Sequence, residues 1–363
     1  MKDVCVVLPT YNEAGTIREL LAALERSMVG LSIRVVVVDD GSKDGTLGIL
    51  REMMERHGNI ILVERGRKLG LGTAIIDGFK TALSLEPEPE FIVTMDADLS
   101  HDPGELPSLV EACDGDTVVI GSRYVENGEI HGWGTYRKMI SAVANFFARG
   151  FTDINARDCT SGFRCYSASL VRAILPNLES VGYDVQIETL HEAVRLGFSI
   201  EERPITFRER RSGESKLKFG DIWGFMKRVY TLFRRSGEWR RIIKFGIVGL
   251  SGAFVNEGLL WYLTNQVGIY YMVSAVISTE AAIINNFFWN EVWTFRERAE
   301  DSLRGSFSRF MKFNLSRMVG MAMGVALMAF FTEMIGVYYL ISNIMAIGIV
   351  FTWNYLTSAA WVW

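Results

Sequence analysis

Four apolar stretches in the last third of the chain, at about 242–264, 271–293, 313–335 and 339–361, each approach the roughly 20 residues that a helix needs to cross a bilayer. They also repeat. A shift of 68 residues superposes Lys244-Phe245 on Lys312-Phe313, Gly268 on Gly336, Tyr270-Tyr271 on Tyr338-Tyr339, Ser274 on Ser342, Asn286 on Asn354 and Trp293 on Trp361. Self-similarity at a fixed period marks a duplicated structural unit, here a helix hairpin. Residues 242–363 are therefore expected to form a membrane domain of two hairpins, four transmembrane helices in all.

The rest of the chain is of another kind. Up to about residue 215 it reads as a soluble domain, so the net charge of −4 over 363 residues averages two unlike parts. Its four cysteines, Cys5, Cys113, Cys159 and Cys165, show no metal-like or redox spacing and read as reduced packing residues of a cytosolic domain. A strand-like run, Val4 to Leu8, stands at the amino end, and no secretory signal is expected there. Further apolar runs at 33–38, 60–63, 91–95 and 117–121 each precede turn residues, and Ile17, Leu20, Leu21, Leu24 and Met28 recur at helical spacing between the first two. Repeated β-α-β units imply an α/β, Rossmann-like fold with a mainly parallel sheet and helices on both faces.

In such folds ligands bind beyond the carboxyl ends of the strands. Asp96-Ala97-Asp98 follows the run Phe91 to Met95, and two carboxylates there offer the hard oxygen donors that suit Mg2+ or Mn2+. The first strand runs into Pro9-Thr10-Tyr11-Asn12-Glu13 and the second into Asp39-Asp40-Gly41-Ser42-Lys43-Asp44-Gly45-Thr46. Taken alone, either string could be a turn with a helix cap. Together with the Asp pair they suggest a nucleoside diphosphate and its metal. Gly70-Leu71-Gly72 lies past the first strand without a third glycine, and it reads as a helix start rather than a dinucleotide fingerprint.

These strings, with Leu99-Ser100-His101, Gly121-Ser122-Arg123-Tyr124, Ser161-Gly162-Phe163-Arg164 and the segment from Arg210 to Lys216, resemble family 2 glycosyltransferases of the GT-A fold over about residues 3–220. The likeness is greatest to the branch that forms polyprenyl phosphate mannose. The resemblance implies that Pro9, Tyr11, Glu13, Val38, Asp40 and Asp96 hold the nucleotide of GDP-mannose. It implies that Asp96 and Asp98, with Ser100 as a further ligand, hold Mg2+ or Mn2+. The catalytic set it implies is Asp98, Arg123, Arg137, Arg210 and Lys216, because Arg recognises phosphate bidentately and Lys supplies a point charge. The apolar third is similar to GtrA-like four-helix membrane domains.

Charge placement sets the expected orientation. Lys227, Arg228, Arg234, Arg235, Arg240 and Arg241 precede the first span, and Arg296, Arg298, Arg304 and Arg309 lie between the second and third. The loops near 265–271 and 334–339 carry no Lys or Arg, so the catalytic domain is expected in the cytoplasm. Ile222, Phe225, Met226, Val229, Leu232 and Phe233 recur at helical spacing among cations, which favours an amphipathic helix on anionic lipid within the linker 216–241. The alternative is a helix packed on the catalytic domain. Glu257 and Glu280 fall inside spans, but their repeat mates are Val325 and Gly348, and interhelical hydrogen bonds to Asn256, Asn285 or Asn286 would account for them as well as a function would.

The expected activity is thus transfer of mannose from GDP-mannose to dolichyl or another polyprenyl phosphate, inverting and metal-dependent. The partners are those two substrates and the lipid bilayer, with no nucleic acid. A UDP-glucose-dependent polyprenyl phosphate glucosyltransferase, and a lipid-linked-sugar translocator with a nucleotide-sensing domain, are the alternatives.

Overall fold

The computed structural model describes residues 2–27, 30–152, 154–209, 228–234, 238–299 and 302–363. The chain divides into two compact units, Met1–Leu232 and Phe233–Trp363.

In the first unit, β1 (Lys2–Thr10), β2 (Leu31–Asp39), β3 (Ile60–Glu64), β4 (Phe91–Thr94) and β5 (Thr117–Ser122) realise the five apolar runs. Val4 to Leu8 and Val35 to Val38 are buried without alternation, because a parallel sheet covered on both faces makes every side chain a core residue. Among the described residues, β7 (Arg164–Ser167) and β8 (Ser199–Pro204) complete a seven-stranded sheet in the order β3-β2-β1-β4-β7-β5-β8. The sheet is mainly parallel, and β7 runs antiparallel to both β4 and β5. Helices α1 (Ile17–Arg26), α2 (Thr46–Arg56) and α4 (Leu106–Ala112) pack on one face, through Ile17, Leu20, Leu24, Leu50 and Leu109. Helices α3 (Leu71–Leu83), α6 (Ala168–Ile174) and α7 (Val185–Arg195) pack on the other. Gly70 caps α3, as expected of a helix start.

Register gathers the loops. Thr10 pairs with Asp39 and Val7 with Thr94, so β1, β2 and β4 end at one sheet edge. The antiparallel β7 sets Arg164 opposite Thr94, and the Thr94 hydroxyl donates to the Gly162 carbonyl at 2.8 Å, which brings the loop before β7 to the Asp96-Ala97-Asp98 turn. Past β5 a short strand β6 (Glu129–His131) pairs with β9 (Thr206–Arg208), and α5 (Thr135–Phe151) follows β6. All four cysteines are free and buried, and burial pushes the Cys5 and Cys159 thiols up to about 12. They are unreactive packing residues.

The described end of the linker has a protein setting. Val229 and Leu232 are buried in the core of the first unit, and Arg228 pairs with Asp184 at 3.2 Å and with the fully buried Glu188 at 3.2 Å on α7. This part of the segment expected on lipid packs on the catalytic unit instead. Ile222, Phe225, Met226 and Lys227 lie outside the described residues.

The second unit contains α8 (Trp239–Asn265), α9 (Tyr271–Trp289), α10 (Leu303–Ala329) and α11 (Tyr339–Thr357). Among the described residues, three helices are long and apolar enough to cross a membrane: Trp239–Asn265, Leu303–Met334 and Tyr339–Val362. The expected second span, on α9, is not one of them, because Glu280, Asn285 and Asn286 dilute its apolar content. The duplication extends to fine geometry. Gly268 and Gly336 both turn with φ of +80°, Ser274 and Ser342 are both fully buried, and Asn286 and Asn354 lie so close to Gly252 and Gly320 that a Cβ on either glycine would collide with the amide. Asn285 donates to the Ser251 hydroxyl at 2.9 Å, whereas Glu257 and Glu280 are exposed on their helices.

Candidate active site

The first two loops form one scaffold. Asp39, 1% exposed, accepts from the Gly41 and Ser42 amides at 3.0 and 2.8 Å and from the Thr10 and Ser42 hydroxyls at 3.0 and 2.6 Å. Asn12 donates its backbone N–H to the Ser42 hydroxyl and accepts from the Lys43 backbone amide through Oδ1, and the Glu13 backbone amide donates to the Thr46 hydroxyl. Gly41 is obligatory here: its φ is +79° and a Cβ would stand 2.8 Å from the Arg67 backbone. Pro9 and Val38 lie at the ends of their strands, and the Tyr11 ring carries the Lys68 ammonium 4.0 Å from its centre. Asp40 accepts from the Leu69 and Gly70 amides at 2.7 and 2.9 Å and pairs with Arg65 at 3.1 Å. Both of its oxygens therefore fix the loop that starts α3.

The Asp pair stands one sheet position away. Asp98 is buried and accepts from the Ser100 amide at 3.1 Å, and Leu99 between them takes a φ of +61°, which turns the chain sharply. The Asp96 carboxylate keeps 40% of its surface open beside Gly162. A Cβ at that glycine would come within 3.3 Å of Asp96 Oδ1 and of Gln186 Nε2, so glycine preserves the space against the carboxylate. The Ser100 hydroxyl is buried with no hydrogen-bond partner among the described residues. Two carboxylates, an orphaned hydroxyl and open space fit a hard divalent cation that completes its shell with substrate oxygens. Among the described residues there is no cluster of three or more His, Cys, Asp or Glu that could hold a metal.

His101, quoted in the motif without a role, braces this turn. It is buried between Phe163 and Phe207, with ring centres 5.3 and 5.2 Å away, and its Nδ1 accepts from the Asp96 amide at 3.3 Å. Burial, with Arg123 nearby, outweighs the attraction of Asp98 and pulls its pKa down to about 4, so the ring is neutral at neutral pH and can accept that bond.

Arg123 follows β5 into a buried polar knot. Its Nε and Nη2 each reach Asp158 at 2.7 Å, its backbone amide donates to the same carboxylate at 3.0 Å, and Nη2 also donates to the Thr160 hydroxyl at 2.8 Å. Burial by itself would raise the Asp158 pKa, but Arg123 and these donors hold it below the usual carboxylate range. The guanidinium also faces Trp133 and Phe207, at 5.1 and 5.2 Å from their ring centres. Arg137, in the first turn of α5, lies 4.3 Å from the Trp133 ring centre and 3.7 Å from the Glu209 carboxylate. Both arginines thus border one indole. Asp158, Thr160 and Glu209 carried no signal in the sequence, since each acts through a partner far away in the chain; Trp133 was missed although Arg137 is only four residues on. Arg210 and Lys216 lie outside the described residues.

Comparison with known proteins agrees with this architecture. Residues 5–175 match the model for glycosyl transferase family 2, and residues 244–363 match that for the GtrA/DPMS transmembrane domain. A dolichol-phosphate mannosyltransferase of Pyrococcus furiosus is 36% identical over 367 residues, covering 99% of both chains. An undecaprenyl-phosphate mannosyltransferase of Micrococcus luteus is 38% identical over 244 residues, which is 64% of this chain and 99% of that one. A solved structure of glucosyl-3-phosphoglycerate synthase from Mycobacterium tuberculosis is similar with a TM-score of 0.48 and 21% identity, over 65% of this chain and 80% of that one. The two family matches and the Pyrococcus furiosus relative together define a sugar-transferring enzyme with a membrane-embedded part. The chain belongs to the family 2 glycosyltransferases, in the form that carries a GtrA/DPMS transmembrane domain.

Proposed function

We propose that this enzyme transfers mannose from GDP-mannose to dolichyl or another polyprenyl phosphate, with inversion, at the cytoplasmic face of a membrane that α8 to α11 cross four times. The observation that carries the reading is the similarity to the Pyrococcus furiosus dolichol-phosphate mannosyltransferase, which runs through both halves of the chain. The cations that precede and open α8 and fill the loop before α10 support the orientation.

Pro9, Tyr11, Glu13 and Val38 form the wall for the base and ribose, and Asp40 shapes its floor through Leu69 and Gly70. Asp96 and Asp98, with Ser100 as a further ligand, would hold Mg2+ or Mn2+. The ion would supply positive charge to the leaving diphosphate. Arg210 and Lys216 complete that neutralisation. Arg123 and Arg137 receive the acceptor phosphate: Asp158 fixes the Arg123 plane, and Trp133 lies against both cations. An acceptor phosphate oxygen attacks the anomeric carbon as its bond to the diphosphate breaks, and GDP leaves. A phosphate monoester has a second pKa of about 6, so the nucleophile is largely anionic at neutral pH and no strong general base is needed. Catalysis then rests on positioning and charge.

The test offers the full-length protein dolichyl phosphate with either GDP-mannose or UDP-glucose and weighs the lipid product. Mannosyl transfer is expected, and a clear preference for UDP-glucose would overturn the donor. Replacing Asp98 with Asn should abolish transfer, and near-normal turnover in that variant would sink the metal assignment.

A further inference from the structure

Arg317 takes no part in the site described above. It lies on α10 within Leu303–Met334, a stretch long and apolar enough to cross a membrane. A cation there is expensive unless something anionic or wet faces it. Among the described residues no carboxylate pairs with Arg317. Its Nη2 donates to the Ser358 hydroxyl at 3.0 Å, and the guanidinium lies over the ring of Phe313 at 4.1 Å and that of Phe245 at 5.3 Å. Its Nη1 is shut away from solvent with no hydrogen-bond partner among the described residues.

The repeat shows that this cation is an addition. Phe245 and Phe313 are mates 68 residues apart, so the guanidinium stands between equivalent points of the two hairpins. The mate of Arg317 itself is Gly249, and the first hairpin forms without any such charge. Two aromatic faces offset part of the desolvation of a guanidinium and fix its plane, but they bring no counter-charge. An oriented fork with an unmet donor is what a phosphate oxygen pair requires. Positive charge also collects at the loop end of the same helix, where Lys312 and Arg298 line a cavity of about 250 Å³. Basic pockets of this kind between membrane helices attract lipid headgroups.

We propose that Arg317 is the phosphate clamp of a second lipid site, built in the membrane half and separate from the nucleotide-sugar site. Its ligand class is a phosphate ester carried on an apolar chain. The membrane offers two sources, bulk phospholipid and polyprenyl phosphate, and both share the chemistry that Arg317 recognises.

The experiment uses the full-length protein in nanodiscs of zwitterionic lipid, with a photoreactive farnesyl phosphate and the matching photoreactive farnesol, and maps labelled peptides by mass spectrometry. The phosphate probe should label peptides within 313–320 or 353–359 about tenfold more than the alcohol does, as expected for one charge-assisted interaction. Arg317→Met should bring that labelling down to the alcohol level and leave labelling of the catalytic half unchanged, and Arg317→Lys should fall between. Competition on the wild type reads the site even if the Met variant fails to fold. Displacement by farnesyl phosphate alone identifies the polyprenyl phosphate, and displacement by phosphatidylglycerol as well identifies bulk phospholipid. Equal labelling by the two probes, or displacement by farnesol as effective as by either phosphate, overturns the proposal. The readout is positional, so it stands whether or not mannose is the sugar transferred.

Discussion

Asp158→Asn is the perturbation that interrogates the catalytic half most directly. Asp158 is fully buried, and its two oxygens take Nε, Nη2 and the backbone amide of Arg123. Asparagine keeps the shape, removes the charge and turns an amide group toward a guanidinium that is itself only 7% exposed. Breaking one side of a buried, hydrogen-bonded pair costs about 3–5 kcal/mol. At about 2–4 °C per kcal/mol for a unit of this size, the melting temperature should fall by about 6–20 °C. The four buried cysteines all lie in this unit, so a thiol-reactive dye reports its melting without interference from the membrane half. Because the native Asp158 pKa is depressed, its contribution is complete above the ordinary carboxylate value of about 3.9 and fades only as pH falls through the lower native value. The gap between wild type and variant should therefore be flat from pH 8 to pH 5, a window that lies wholly above the ordinary carboxylate value of about 3.9. Replacing both partners, Arg123→Met with Asp158→Leu, should recover most of the stability and none of the transfer, since apolar substitutes satisfy a core but not a phosphate. If Asp158→Asn melts within about 2 °C of wild type, the pair is not the buried clamp argued for.

Two further outcomes follow from the same geometry. His101 has a native pKa of about 4 against an ordinary 6.5, so the unfolded chain takes up the proton first and stability drains away as pH falls from 6.5 to 4, by about 3 kcal/mol from this residue. Melts of wild type and His101→Asn in chelator, read with a dithiodipyridine reagent that works in acid, should diverge across that window; parallel curves would refute the assignment. In the membrane half, Gly252→Ala should destabilise the first hairpin by about 1–3 kcal/mol through collision with Asn286, although an exposed Gly→Ala change in a helix would stabilise by about 1 kcal/mol. Gly320→Ala, with 2.7 Å to Asn354, should cost less, and denaturant unfolding followed by circular dichroism decides the sign and the order.

The catalytic fold was legible where burial is continuous and opaque where it depends on a partner. Strands β1 to β5 announce themselves because a parallel sheet covered on both faces needs uninterrupted apolar runs. Strand β7 does not, since it opens on Arg164, whose charge no apolar pattern would admit to a core. Arg164 is fully buried only because its guanidinium meets the Gln186 and Cys159 carbonyls and the Thr189 hydroxyl. The same limit applies to Arg123. Its identity as a phosphate-type residue was readable, but the Asp158 partner lies 35 residues on, and nothing local announces the pair. His101 stood inside a quoted motif, yet its role depends on a backbone amide five residues away meeting its ring across the turn at Leu99.

The membrane half was legible for a different reason: it states its own structure twice. Features held at both mates, the Asn against Gly contact, the buried Ser274 and Ser342, and the turns at Gly268 and Gly336, are what a hairpin needs to form. Features held once are what the hairpins do not need. Glu257 and Glu280 are of the second kind, and so is Arg317. Their settings differ, because the two glutamates are exposed on their helices whereas Arg317 has a nitrogen buried among aromatic rings. A guanidinium keeps its charge in proteins, so a buried nitrogen on one retains a charged donor to satisfy. Only the arginine therefore demands an anion from outside the chain, and the material that surrounds a membrane helix supplies anions almost entirely as lipid phosphates.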